Sequence, residues 1–385
     1  MSFLTSNPLH SLGSFVSVSG ITIRASSCVS VGFFPPESSV QGGTSAHSLP
    51  KTLAVLGSNP LLDREDETAV DLVEKMLAGS QRALAQLMSQ VERHSAAVPQ
   101  IMRQIAPALG KAYCVGITGP PGAGKSTVTD KLAAYARHQG QTVGIIAVDP
   151  TSPFSGGAIL GDRIRMQQHY LDAGVFIRSM ATRGSHGGLP QAAQGVRKLL
   201  DAFGKDLILI ETVGVGQTEL SIVEAADTTI VLLVPESGDT IQTMKAGIME
   251  IADIFAINKS DRDGAERMLH DLRMLVHMHP PCTWWDPPVL TTQAHKNLGI
   301  PELYAAISQH RQTLIETDQL RMRRRQHRHT ELVALLQEHL MALLTAQLDR
   351  HAVLLALKEQ VQEGILDPYT AVERIIARQD ILLWQ

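Results

Sequence analysis

The chain has 385 residues, 44% of them hydrophobic and 4% aromatic, with a formal net charge of −4 and an isoelectric point near 6.4. That is ample apolar material for one core of roughly 200 residues plus helical additions, and the mild acidity gives no electrostatic reason to expect nucleic-acid binding. No apolar run approaches the roughly 20 residues that a spanning helix requires, so no membrane partner is expected.

Residues 1–62 are rich in Ser, Gly and Pro, carry only Arg24 and Lys51 as cations and Glu37 as an acid, and lack helical periodicity. A disordered extension is expected there. Mitochondrial presequences share its serines and its shortage of acids, but they are also Arg-rich and amphipathic, which this segment is not. Cys28, Cys114 and Cys282 lie far apart and form no C-x-x-C pair, which suits a reducing compartment; the expected location is the cytoplasm rather than the mitochondrial matrix. Residues 63–110 read as a helical extension. From Glu65 onward Val70, Leu72, Val73, Met76 and Leu77, then Leu84, Leu87, Met88 and Val91, recur largely at spacings of three and four.

Residues 111–310 carry the chemistry. The apolar stretch Cys114-Val115-Gly116-Ile117 leads into Gly119-Pro120-Pro121-Gly122-Ala123-Gly124-Lys125-Ser126-Thr127, a phosphate-binding loop with every fixed position filled. Its glycines let successive backbone N–H groups point at phosphate oxygens, and the helix opening at Lys125 adds its positive end. The Lys125 ammonium reaches the β and γ phosphates, and Ser126 offers its hydroxyl to Mg²⁺. A nucleoside triphosphate is the expected ligand.

Three carboxylates follow. Val143 to Val148 is a continuous apolar run of parallel-strand type that ends at Asp149, at the carboxyl edge where such sheets bind ligands. Asp162 stands in Gly161-Asp162-Arg163, and Glu211 closes the strand Leu207-Ile208-Leu209-Ile210 and opens Thr212-Val213-Gly214-Val215-Gly216-Gln217. Carboxylates converging on a triphosphate would repel it unless a divalent cation intervened, and Mg²⁺ suits oxygen ligands that bridge β and γ oxygens.

The base is read further on. Ile254-Phe255-Ala256-Ile257 reads as a buried strand ending in Asn258-Lys259-Ser260-Asp261. A carboxylate at Asp261 can accept from guanine N1–H and the exocyclic amine together, whereas adenine offers an acceptor at N1 and would leave the charge unpaired. Lys259 can lie along the base plane, and Asn258 can tie this loop to the phosphate loop. GTP, with GDP as product, is the expected bound nucleotide.

Residues 311–385 turn helical, with Leu332, Leu335, Leu336, Leu340, Leu343, Leu344 and Leu348 forming a broad apolar stripe that needs a partner surface. Folding back on the nucleotide domain is one solution and pairing across a twofold axis is another. The cluster Arg321, Arg323, Arg324, Arg325 and Arg328 is short and lacks interleaved aromatics, which reads as a solvated helix face or linker rather than an RNA site. Trp284-Trp285 fits either a partner-docking spot or a wall packed between the nucleotide domain and the arm, the second being favoured. The fifteen histidines show no metal-ligand spacing.

The strings Val148-Asp149-Pro150-Thr151-Ser152-Pro153-Phe154, Gly161-Asp162-Arg163-Ile164-Arg165-Met166, Arg178-Ser179-Met180-Ala181-Thr182-Arg183-Gly184, Glu211-Thr212-Val213-Gly214-Val215-Gly216-Gln217 and Lys245-Ala246-Gly247-Ile248-Met249-Glu250-Ile251-Ala252-Asp253 closely resemble the MeaB/ArgK family of metallochaperone-type P-loop GTPases, to which the methylmalonic aciduria type A protein belongs. The resemblance runs from about Glu67 to about Arg378. It implies an α/β P-loop NTPase domain of the SIMIBI class with a mostly parallel sheet, flanked by an N-terminal helical extension and a C-terminal helical dimerisation arm, hence a homodimer. It implies Mg²⁺-dependent GTP hydrolysis coupled to loading and protecting the adenosylcobalamin of an acyl-CoA mutase, chiefly methylmalonyl-CoA mutase, with a cobalamin adenosyltransferase as a further partner.

By the same resemblance Lys125, Asp149, Asp162 and Glu211 match phosphate and metal-site residues. Gln217, Asp239, Gln242 and Lys245 match switch and partner-coupling positions, and Thr292, Gln293 and Ala294 lie beside the guanine. In that last loop Asn297 stands where relatives carry Gly, and Asn tolerates a left-handed backbone better than most residues. Two other functions share the core or the family label: a nickel-inserting GTPase, which would be expected to carry a Cys- or His-based site, and a kinase linked to amino-acid transport, which needs an acceptor pocket and a base.

Overall fold

Seven short apolar segments become strands: β1 (Tyr113–Thr118), β2 (Val143–Asp149), β3 (Val175–Ala181), β4 (Leu207–Glu211), β5 (Thr228–Leu233), β6 (Ile254–Ile257) and β7 (Val289–Thr291). The computed structural model describes residues 60–149, 166–181, 191–212, 222–235, 248–278 and 284–377. The strands pair in the order β3-β2-β4-β1-β5-β6-β7, and every pair is parallel. β1, β4, β5 and β6 are buried at every residue, as a sheet covered on both faces demands.

Among the described residues the helices are α1 (Pro60–Leu77), α2 (Gln81–Glu92), α3 (Val98–Ile105), α4 (Lys125–His138), α5 (Gln191–Ala202), the single turn α6 (Ile248–Ile251), α7 (Ala265–Met278), α8 (Ile300–Glu316), α9 (Gln319–Arg350), α10 (Ala352–Gln362) and α11 (Pro368–Ala377). Alternation along the strands sends Val115, Ile117, Leu209, Ile230 and Leu232 to one face, against α4 and α8. Cys114, Ile146, Ile208 and Ile210 go to the other, where α5 and the N-terminal helices cover them. Val231 and Phe255 meet α7.

The N-terminal helices use the stripe that the sequence displays: Val73, Met76, Leu84, Leu87, Met88 and Val91 are all buried. Arg178 of β3 fixes them to the sheet, its Nε and Nη2 donating to the two Glu92 oxygens at 2.6 and 2.8 Å. α1 begins at Pro60, so Pro60 to Leu62 belong to a helix and not to the expected disordered extension; proline suits a first helical turn, where its missing N–H costs nothing. Residues 1–59 lie outside the described ones.

The arginine cluster is where the sequence reading needs correction. Arg323 pairs in a fork with Asp253 at 2.7 and 2.9 Å. Arg324 pairs likewise with Asp227 at 2.8 and 2.7 Å and also donates to the Gly110 and Ala112 carbonyls. Asp227 and Asp253 are 3% and 6% exposed, and both hold backbone N–H groups at the amino ends of strands: Cys114 for Asp227 and Thr229 for Asp253. These two arginines are therefore paired and only partly exposed, not part of a solvated face. They lock the start of α9 to the edge of the sheet opposite the phosphate loop, and the bidentate match of guanidinium to carboxylate makes arginine the fitting residue there.

The tryptophans belong to the same lock, as packing and not as a docking spot. Trp285 Nε1 donates to Asp253 O at 2.8 Å, His310 stacks on Trp284 at 6.0 Å, and Arg323 lies 5.3 Å over the Trp284 ring. His310 Nε2 sits 3.4 Å from Asp253, yet burial drives its pKa down to about 4. Asp253 is already satisfied by Arg323, so this is a neutral ring in contact with a carboxylate. Lys198 of α5 adds an ion pair to Glu331 at 2.5 Å. Past that point α9 carries its apolar stripe into solvent; none of its 32 residues is fully buried. The α9–α10 break bends the chain by 89°, and no single described helix is long and apolar enough to cross a membrane.

Candidate functional site

The carboxyl edge of the sheet gathers the turns that follow β1, β4, β6 and β7. The phosphate loop leaves β1 at Gly119, whose φ is +140°; a Cβ there would lie 2.0 Å from the Leu232 carbonyl oxygen, so only glycine lets the loop pass β5. Gly124, at φ +88°, caps α4. Lys125 Nζ donates to the carbonyls of Gly119 and Pro120 at 2.9 and 3.1 Å, which holds the ammonium over the loop. Ser126 Oγ donates to Glu211 Oε1 at 2.6 Å. That places a hydroxyl and a carboxylate, both hard oxygen donors, side by side at the opening of α4, a donor set that fits a magnesium ion.

Asn258 organises the other half. Its Nδ2 donates to the Ala123 carbonyl of the phosphate loop at 2.8 Å. Its Oδ1 accepts from Thr292 Oγ1 and from the Ala294 N–H, at 3.1 and 3.2 Å. One 3%-exposed side chain thus ties the phosphate loop, its own loop and the turn after β7. Lys259 takes φ +57°, a left-handed step that turns the chain outward so that Asp261 is exposed. Ser260 N donates to the Thr292 carbonyl at 3.1 Å. Gln293 bridges to Leu298, and Asn297 adopts φ +59°, the left-handed conformation that makes Asn an acceptable stand-in for Gly.

Behind the loop, Asp130 of α4 receives Gln168 Nε2 at 2.5 Å and lies 3.2 Å from His169 Nε2. The Asp130 hydrogen bond raises the His169 pKa. This pins the chain just after residue 165 onto the helix that opens the phosphate loop.

A family model described as "Methylmalonyl Co-A mutase-associated GTPase MeaB" matches residues 80–349. The chain belongs to the MeaB family. It is a P-loop GTPase, and among its relatives a Pyrococcus abyssi protein named as a GTPase is 47% identical over 310 residues, covering 80% of this chain and 95% of its own. The GTPase ArgK of Escherichia coli is 36% identical and covers 68% of this chain and 81% of its own. The mitochondrial methylmalonic aciduria type A homolog of Mus musculus is 30% identical, covering 82% and 80%. A crystal structure described as a LAO/AO transport system kinase superposes with a TM-score of 0.61 at 28% identity, covering 81% of this chain and 97% of its own.

In this MeaB-family GTPase the structure brings Lys125, Ser126 and Glu211 together, and groups Asn258, Thr292 and Ala294 within hydrogen-bond distance. Asp149 is the last residue of β2. Its side chain lies outside the described residues, as do Asp162, Gln217, Asp239, Gln242 and Lys245. Missed from sequence were Asp130 with His169, and the hydroxyl pair Thr118 and Thr212. Neither has a motif to announce it. The only signal for the second is that each threonine adjoins a residue already singled out.

Proposed function

We propose that this GTPase is the nucleotide-driven chaperone of an adenosylcobalamin-dependent acyl-CoA mutase of the methylmalonyl-CoA type. The observation that carries the reading is the match to a family described as mutase-associated over residues 80–349, a span that includes the phosphate loop, the guanine loop and most of α9. In this reading Gly119 to Thr127 cradle the phosphates and Asp261 reads guanine, with Lys259, Thr292, Gln293 and Ala294 around the base. Ser126, Asp149, Asp162 and Glu211 would hold Mg²⁺, which when bound neutralises charge on the β and γ oxygens. Lys125 contacts phosphate in ground and transition states alike, while Glu211 acts on the side of the γ-phosphate. The exposed stripe of α9 pairs two copies into a homodimer, and Asp239, Gln242 and Lys245 respond to the mutase. A cobalamin adenosyltransferase is a further candidate partner.

A partner that orders a loop can align the attacking water and so accelerate hydrolysis. The test is phosphate release from GTP with and without a purified methylmalonyl-CoA mutase. Stimulation by the mutase, removed by alanine at Asp239, Gln242 and Lys245, supports the reading; an unchanged rate overturns it.

The name of the solved kinase relative raises a second reading, transfer of the γ-phosphoryl group to a protein acceptor. Labelled phosphate found only as inorganic phosphate would exclude it.

A further inference from the structure

Thr118 is the last residue of β1, one before Gly119, and Thr212 is the first beyond β4, one after Glu211. Strand alternation turns Glu211, with Leu207 and Leu209, to the α4 face. It turns Thr118 and Thr212, with Cys114, Ile208 and Ile210, to the opposite one. There Thr212 Oγ1 donates to Thr118 Oγ1 at 3.0 Å, and the Thr212 N–H donates to the Ile117 carbonyl at 3.1 Å. The two threonines are 0% and 1% exposed.

Stability does not account for hydroxyls in this place. Two buried groups that satisfy each other can be replaced by apolar groups of the same shape at almost no cost. What two valines cannot supply is direction. The side-chain bond and the backbone bond together hold the chain at two points as it leaves β4, immediately beside Glu211. Glu211 receives the Ser126 hydroxyl on the other face, so the site is fixed from both sides of the sheet: Glu211 to α4 on one, Thr212 to β1 on the other.

We propose that Thr118 and Thr212 are a positioning pair for GTP hydrolysis, whose hydrogen bond sets the direction of the Glu211 carboxylate relative to the phosphate loop. The proposal rests on the assignment of Glu211 to the γ-phosphate side of the site. Because the pair acts through Glu211, it affects the transition state more than nucleotide binding. Small displacements of a catalytic group cost rate steeply, whereas affinity, spread over many loop contacts, changes little.

The experiment is steady-state GTP hydrolysis by the full chain with Mg²⁺, comparing Thr118→Val, Thr212→Val, the double variant and Thr212→Ser, with Glu211→Gln measured alongside and melting curves for all. Each valine variant should lower kcat about tenfold and leave KM for GTP within about twofold. The double variant should be no worse than either single one, since all remove the same bond. Thr212→Ser keeps the donor and should retain most of the rate, while the melting temperature of the double variant stays near wild type. Valine variants with normal kcat beside a slow Glu211→Gln enzyme overturn the pair alone. Valine variants whose KM rises in step with a falling melting temperature show a structural role and overturn it too. A Glu211→Gln enzyme with normal kcat overturns the assignment of Glu211, and the pair's route with it.

Discussion

Asn258 is the most connected side chain of the site, and its replacement should be felt in two loops at once. Asn258→Ala strands the Ala123 carbonyl, the Thr292 hydroxyl and the Ala294 N–H in a buried setting. Each buried polar group left unpaired costs about 1–3 kcal/mol, so denaturant unfolding should show a loss of at least that size and GTP affinity should fall as well. An unfolding midpoint equal to wild type would show that these groups find other partners. Asp261 behaves differently because it is exposed and holds no loop together. Asp261→Asn should leave stability within about 0.5 kcal/mol and reduce the preference for GTP over ATP, which should be at least about a hundredfold in the wild type. Displacement titrations with both nucleotides measure this, and equal competition by ATP in the wild type would refute the guanine assignment.

At the scale of elements, the lock between α9 and the strand edges decides how the arm sits on the nucleotide domain. Burial acts to raise the pKa of the Asp253 carboxyl, but the Arg323 guanidinium overrides it and holds the group ionised. Removing Arg323 therefore leaves a buried charge without compensation, and Arg323→Ala should cost about 3–5 kcal/mol. Arg323→Lys should recover only part, since a point charge cannot make the fork. The check is a melting series. A loss for Arg323→Ala no larger than for Arg321→Ala, an exposed neighbour, would deny the lock.

The same region sets an acid limit. His310 and His327 are both depressed to about 4, in each case chiefly by burial. Between about pH 6.5 and 4 the unfolded chain takes up protons at these positions that the folded chain refuses, so stability is fully present above that window and falls as the pH drops through it. His310→Gln with His327→Gln should flatten the decline of melting temperature with acid. An equally steep decline would assign the acid sensitivity to other groups.

On the whole-molecule scale, Leu332, Leu336 and Leu340 are 55%, 52% and 41% exposed on one helix, and an apolar stripe of that length calls for a covering surface. If a second copy covers it, Leu336→Glu with Leu340→Glu should shift the mass measured by light scattering from dimer to monomer and leave GTP turnover within about twofold, because the site lies at the far edge of the sheet. A wild-type mass of one chain would refute the homodimer.

Much of this protein was legible in its sequence. The phosphate loop, Glu211 and the guanine tetrad are local: the chemistry of each lies within a few consecutive residues, and the apolar run before each one places it at a strand end. Asn258 could even be expected to reach the phosphate loop. The arginine cluster shows where local reading fails. By composition Arg321 to Arg328 is a solvated helix face, and nothing in that stretch shows that Asp227 and Asp253, each more than 65 residues away in sequence, wait at the amino ends of the strands. The tryptophans left two readings open for the same reason. Sequence determined which candidate groups stand together at the carboxyl edge, because those groups are neighbours along the chain or follow strands that a parallel sheet must align at one edge. Only the tertiary structure decided which charges are paired, which threonines share a hydrogen bond and where the arm is fastened, because each of those depends on residues from distant segments being brought within about 3 Å, the range in which a hydrogen bond forms.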